Sequence, residues 1–180
     1  MTGDQEAQFR AMYVEHLSAV LGYALRRVAE PEDAADVVAE TFLVAWRRHR
    51  VIPGDSEARL WLFGVARRVL SNHRRGENRR QRLGGRLELQ LAGSAVSPDH
   101  GDSVASSTAV IAALETLGKT DREIVMLAIW EDLEPREIAT VLGMSAGAVR
   151  TRLSRARARL RAELGDAHPL QATTLPKGAS

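Results

Sequence analysis

Residues Glu134–Leu164 read EPREIATVLGMSAGAVRTRLSRARARLRAEL, and the spacing predicts two short helices joined by a tight turn. Pro135 suits a first helical position, where its missing N–H has no intrahelical partner to lose. Ile138 and Leu142 repeat at helical spacing, and Gly143 is placed to end that helix in a left-handed conformation. Ser145 is a good N-cap for the next helix, whose Val149, Leu153, Ala156 and Leu160 form one apolar stripe. Off that stripe lie Arg150, Arg152, Arg155, Arg157, Arg159 and Arg161, with no acid until Glu163. A helix–turn–helix with a basic, N-capped second helix is the pattern of a DNA major-groove reader.

Composition supports a helical chain around this stretch. The 180 residues are 44% hydrophobic but only 4% aromatic, with alanine, leucine and arginine dominant, which favours an all-α fold. There is no cysteine, so disulfides, thiolate zinc sites and cysteine nucleophiles are excluded. Met1 leads into polar residues and no apolar run approaches membrane-spanning length, so a cytoplasmic protein with no membrane partner is expected. The formal charge of +2 hides a pattern. Asp4–Glu40 carries eight acids against three arginines, and Thr41–Arg82 carries eleven arginines against three acids. Glu115–Glu137 is acidic again and Arg150–Arg161 purely basic. So many like charges repel unless a polyanion is present, so two units are expected, each with a polyanion-binding face and an acidic face.

Taken in order, Phe9–Val28 is one amphipathic helix preceded by a frayed start, and the residues around Pro31 break it. A second helix runs from Pro31 or Glu32 to Arg48, with Val37, Val38, Thr41, Phe42, Ala45 and Trp46 apolar. Asp33, Asp36 and Glu40 share its opposite side. Nothing nearby adds the ligands that a metal or an acid–base pair needs, so no metal, cofactor or catalytic role is expected. The three acids read as a solvated face or as a docking face for a basic partner. After the Val51–Ser56 loop, a third helix from Glu57 to Arg75 or beyond has Leu62, Val65, Ala66 and Val69 as its stripe, with Trp61 and Phe63 flanking. Arg59, Arg67, Arg68, Arg74, Arg75, Arg79, Arg80 and Arg82 crowd its other faces, more than a helix dipole explains, and phosphate binding accounts for them better. Trp61 reads as core by periodicity, with base stacking the alternative.

From Gly84 to Ser107 the periodicity fades into Gly-, Ser- and Asp-rich sequence, a flexible linker able to span roughly 80 Å when extended. A second domain begins near Thr108. Thr120 and Glu123 match a capping box, and the helix they start carries Ile124, Val125, Leu127, Ala128 and Trp130. The expected organisation is two small helical domains, 8–82 and 108–164, joined by the linker 83–107 and followed by a disordered tail 165–180.

Two segments carry a resemblance. DAADVVAETFLVAWRRHRVIPGDSEARLWLFGVARRVLSNHRR (Asp33–Arg75) is similar to the D-x-x-Q-E-x-F-x-x-A-W and W-L-x-x-I-A-x-N helices of bacterial RNA polymerase sigma factors of the extracytoplasmic-function type. LGKTDREIVMLAIWEDLEPREIATVLGMSAGAVRTRLSRARARLR (Leu117–Arg161) is similar to that family's E-I-A-x-x-L-G-x-S-x-G-T-V-R-S-R-L-x-R-A-R. Ala39, Gly118 and Ala148 stand where the family usually has glutamine, proline and threonine. The resemblance implies a sigma factor of the sigma-70 family with regions 2 and 4, acting by binding and not as an enzyme.

It also implies roles. Asp33, Asp36 and Glu40, with Phe42 and Trp46 behind them, would dock on the clamp of the polymerase largest subunit, and the flap of the second-largest subunit would be a further partner. Gly54, Asp55 and Ser56 would hold a base flipped from the −10 element. Arg67, Arg68, Asn72, Arg74 and Arg75, with Trp61, would grip the opening DNA. Arg150, Thr151, Ser154 and Arg155 would face the −35 major groove, with Arg152, Arg157, Arg159 and Arg161 on phosphates. The expected partners are core RNA polymerase, promoter DNA and an anti-sigma factor, with the free protein a monomer. The competing reading is a helix–turn–helix regulator with an N-terminal sensor or dimerisation domain, which leaves Arg59–Arg82 unexplained. A DNA-acting enzyme such as a recombinase needs a nucleophile, and Tyr13 and Tyr23 both sit at apolar-patterned positions.

Overall fold

The computed structural model describes residues 3–49, 52–54, 56–88 and 103–164. They form seven helices and no strand. The chain divides into two compact units, Met1–Ala95 with Thr140–Gly143, and Val96–Ala139 with Met144–Ser180.

The first unit packs α1 (Gly3–Leu25), α2 (Pro31–Arg47) and α3 (Ser56–Glu88) against one another pairwise. α1 begins earlier than its apolar pattern, because Gln5, Glu6, Ala7 and Gln8 continue a helix without adding to its stripe. α2 opens with Pro31 at its first position, Glu32 and Asp33 in its first turn and Arg47 in its last, so its charges complement the helix dipole. The core is built from Val20, Tyr23 and Ala24 of α1, Val37, Phe42 and Ala45 of α2, and Leu62, Phe63, Ala66 and Leu70 of α3. Each large side chain contributes about 1.5–3 kcal/mol through the apolar area it removes from water. Thr41 is buried because its hydroxyl donates to the Val37 carbonyl at 2.6 Å.

Two expectations change here. Phe63, expected on the flank of α3, lies in the core and Val69 is only half-buried. α3 also runs on to Glu88, through Gly84 and Gly85 and into the stretch expected as linker. Leucine, glutamine and arginine around the glycines are strong helix formers and offset a cost of about 1 kcal/mol per glycine. Most of the expected linker, and the tail from residue 165, lie outside the described residues.

The second unit takes in α4 (Ser103–Glu115), α5 (Lys119–Ile129), α6 (Pro135–Leu142) as far as Ala139, and α7 (Ala146–Leu164), with α7 packed on α4 and α5. Ile124–Ala128 of α5 are all buried, together with Leu114, Leu117, Leu133 and Ile138. The capping box expected at Thr120 does not form. α5 starts two residues earlier, with Gly118 as an extended N-cap that makes no side-chain cap bond, because Leu117 is drawn into the core just before it. Trp130, expected within that helix, is its C-cap residue and is exposed. Among the described residues no helix is long and apolar enough to cross a membrane, and no group of three or more acids or histidines could hold a metal ion.

Candidate nucleic-acid interface

The turn that presents α7 is built by local chemistry. Glu137 reaches back to accept the Glu134 N–H at 2.7 Å, satisfying a donor that α6 leaves free at its start. At the other end Gly143 adopts φ +66°, and the Met144 N–H donates to the Ala139 carbonyl at 3.0 Å. That bond closes α6 in a Schellman motif, which needs a left-handed residue that glycine supplies without a Cβ clash. Ser145 Oγ then accepts the Ala148 N–H at 3.2 Å and caps α7. The turn is therefore held at three points within twelve residues, Glu134 to Ser145.

α7 buries Val149, Leu153, Ala156 and Leu160. At about 100° per residue, the face opposite that stripe carries Gly147, Thr151, Ser154 and Ala158. Arg150, Arg157 and Arg161 line one flank of this small-residue strip, and Arg152, Arg155 and Arg159 line the other. Arg150, Thr151, Ser154 and Arg155, all expected to face DNA, are exposed. The Thr151 hydroxyl donates back to the Gly147 carbonyl at 3.1 Å, leaving its oxygen as an acceptor. Arg152 differs from its neighbours: its guanidinium donates to Asp121 of α5 at 2.7 Å. Sequence reading missed Asp121, and nothing in helical spacing relates residues 31 positions apart.

In the first unit the expected residues divide. Arg67 and Arg68 are exposed on α3, as are Asn72 and Arg75, which bond to each other at 2.5 Å. Arg74 spends one nitrogen on the Arg27 carbonyl at 2.8 Å, tying α3 to the end of α1. Trp61 is half-buried and Gly54 exposed. Asp55 lies outside the described residues, and Ser56 opens α3. Arg59, read as part of the basic face, lies 5.4 Å over the Phe63 ring. Phe63 stacks on Tyr23 with centroids 5.1 Å apart, and Arg27, only 8% exposed, sits 3.6 Å from the Tyr23 ring centroid. Arginine, ring, ring and arginine thus form one column inside the unit.

The acidic side of α2 also divides. Asp33 turns toward α3 and pairs with His73 at 3.3 Å, whereas Asp36 and Glu40 are exposed. Those two acids border a cleft of about 840 Å³ between α2 and α3 that Leu43, Val65, Arg68 and Val69 also line. Phe42 and Trp46 face the other way, edge-on to Tyr13 at 4.7 Å and to Phe9 at 4.8 Å, respectively. They hold α1 to α2, and Phe42, only 4% exposed, presents no surface of its own.

Comparison with known proteins follows this division. The sigma-70 region 2 family matches residues 12–80, and the region 4 family matches residues 107–160. The chain is 33% identical over 151 residues to the ECF RNA polymerase sigma factor SigL of Mycobacterium tuberculosis, covering 83% of this chain and 84% of that one. It is 34% identical over 172 residues to the RNA polymerase sigma factor CnrH of Cupriavidus metallidurans, covering 91% and 89%. Among solved structures it shares its fold with the sigma factor RpoE crystallised with the anti-sigma factor NepR from Bartonella quintana. That match has a TM-score of 0.65 and 23% identity, over 89% of this chain and 99% of that one. CnrH in complex with the cytosolic domain of CnrY matches with a TM-score of 0.63 and 25% identity over 91% of each. An outward basic helix on one unit, an arginine-bearing helix on the other and a family match to each lead to one assignment. The chain belongs to the sigma-70 family of RNA polymerase sigma factors, in its extracytoplasmic-function group.

Proposed function

We infer that this protein binds core RNA polymerase and directs initiation at promoters carrying two elements, one read by each unit. The observation that carries this reading is α7, whose outward strip of Gly147, Thr151, Ser154 and Ala158 lies between two rows of arginines. Small residues let the helix backbone approach base edges closely, and the flanking cations meet the phosphates on either side. Arg150 and Arg155, on opposite flanks, are the guanine readers of the −35 element, with Thr151 and Ser154 between them. Arg157, Arg159 and Arg161 supply affinity without sequence preference.

The first unit opens the −10 element. Arg67, Arg68 and Arg75 of α3 hold the strand, and Asn72 and Trp61 meet its bases, while the loop through Gly54, Asp55 and Ser56 takes the flipped base. Asp36 and Glu40 dock on the clamp of the polymerase largest subunit. Asp33, engaged by His73, supports that face from behind. RpoE is solved in complex with the anti-sigma factor NepR and CnrH in complex with the cytosolic domain of CnrY, and an anti-sigma factor is proposed here as well.

Reconstituted transcription tests the reading. The full chain is mixed with core RNA polymerase and a library of promoter fragments, and promoter-specific initiation is the expected result. A protein that shifts duplex DNA alone yet never confers initiation is an ordinary helix–turn–helix regulator.

A further inference from the structure

The first turn of α5 carries two neighbouring residues that each tie this helix to a different one. Arg122 donates through Nε to the Leu114 carbonyl at 2.8 Å and through a terminal nitrogen to the Glu115 carbonyl at 3.0 Å, capping the end of α4. Asp121, beside it, accepts from Arg152 of α7 at 2.7 Å. Among the described residues, Arg152 is the one α7 arginine held by an acid.

The pair is partly exposed, 46% and 34% for the two side chains, so it adds little to stability. Its consequence is geometric. The apolar stripe of α7 holds the helix against its unit, but apolar contact is non-directional and sets rotation about the helix axis only loosely. A rotation of about 20° carries a side-chain tip about 6 Å from the axis through about 2 Å. A bidentate hydrogen bond tolerates about 0.5 Å. An interhelical ion pair two turns into α7 opposes that rotation where the base readers sit.

We propose that Asp121 and Arg152 form a strut that sets the rotation of α7, so that Asp121 is a positioning residue for −35 recognition and Arg152 its partner, not a phosphate contact. The proposal rests on the reading of α7 as the −35 reader.

The test uses holoenzyme assembled from core RNA polymerase and the full chain. Wild-type holoenzyme selects duplex fragments from a random library. The affinity ratio between a selected fragment and the same fragment with its upstream element scrambled is then measured across salt concentrations. Asp121→Asn and Arg152→Gln each lower that ratio about tenfold, the loss of roughly one good base contact. The double variant lowers it no further, as members of one unit should. Asp121→Glu retains the wild-type ratio, helix content by circular dichroism is unchanged, and the salt slope of Arg152→Gln matches wild type. The proposal is overturned if Arg152→Gln weakens both fragments alike with a slope reduced by about 0.9 while Asp121→Asn keeps its ratio. If wild-type holoenzyme selects no upstream element, the −35 reading of α7 fails, which is visible before any variant is compared.

Discussion

The two units place some of their arginines differently. In the first, Arg27 and Arg59 sandwich the stacked rings of Tyr23 and Phe63, and Arg74 is spent on the backbone of α1. In the second, five of the six arginines of α7 project from the helix with no acid holding them among the described residues. The difference follows from what each unit offers as a neighbour. Seven of the eight aromatic residues precede Ala95, and Trp130 alone follows it. A guanidinium is weakly hydrated and stacks well on a ring, so rings draw arginines inward. Without them the charge stays at the surface. A dense run of arginines in sequence is therefore a poor measure of a basic surface until its rings are placed.

The contrast can be broken most severely at the column itself. Phe63→Ala removes a fully buried ring and the platform beneath Arg59, and about 3–5 kcal/mol of stability is expected to go with it. Chemical unfolding of the full chain, followed by helix content, measures this, and a loss below about 1 kcal/mol would show the column to be incidental.

The outward arginines should cost recognition instead. Arg150→Ala is expected to lose about 1–3 kcal/mol of discrimination at one base pair of the −35 element with the fold intact. Holoenzyme binding to single-base variants of a selected promoter reads this. Equal losses at every position would reassign Arg150 to a phosphate.

Smaller effects belong to the turn that presents α7. Gly143→Ala forces a Cβ into the left-handed region at φ +66°, for about 1–2 kcal/mol, although nothing lies within 4 Å of the added atom. Thermal unfolding should show the loss as backbone strain without a steric clash. The smallest pair compares two caps. Ser145→Ala should cost about 1 kcal/mol, whereas Thr120→Ala, inside α5 and making no cap bond, should stay within about 0.5 kcal/mol. Equal costs would mean that Thr120 caps α5 after all.

Much of the second unit was legible in advance because its signals are local. Pro135, Gly143 and Ser145 act within one turn of themselves, and the stripe of Val149, Leu153, Ala156 and Leu160 is a matter of helical period. All were read in place. Thr120 misled because a capping box is also a local pattern, yet the burial of Leu117 moved the start of α5 ahead of it. In the first unit the helices were legible but the assignment of side chains was less so. Phe42 and Trp46 are expected behind the docking acids, and at two and six residues beyond Glu40 they turn toward α1, where they meet Tyr13 and Phe9. Helical period places Arg59 in the basic series, and no period distinguishes an arginine over a ring from one facing a phosphate.

The sequence by itself determined the all-α class, the two basic units, the helix–turn–helix and the family, because each rests on period, capping chemistry or a motif contained within one segment. Only the tertiary structure decided which charges are available. Arg27 and Arg59 lie against rings of the first unit, Arg74 bonds the Arg27 carbonyl, Asp33 is engaged by His73, and Arg152 by Asp121. These partners are brought together by helices packing across long stretches of chain, and a charge has no fixed role until its neighbour in space is known.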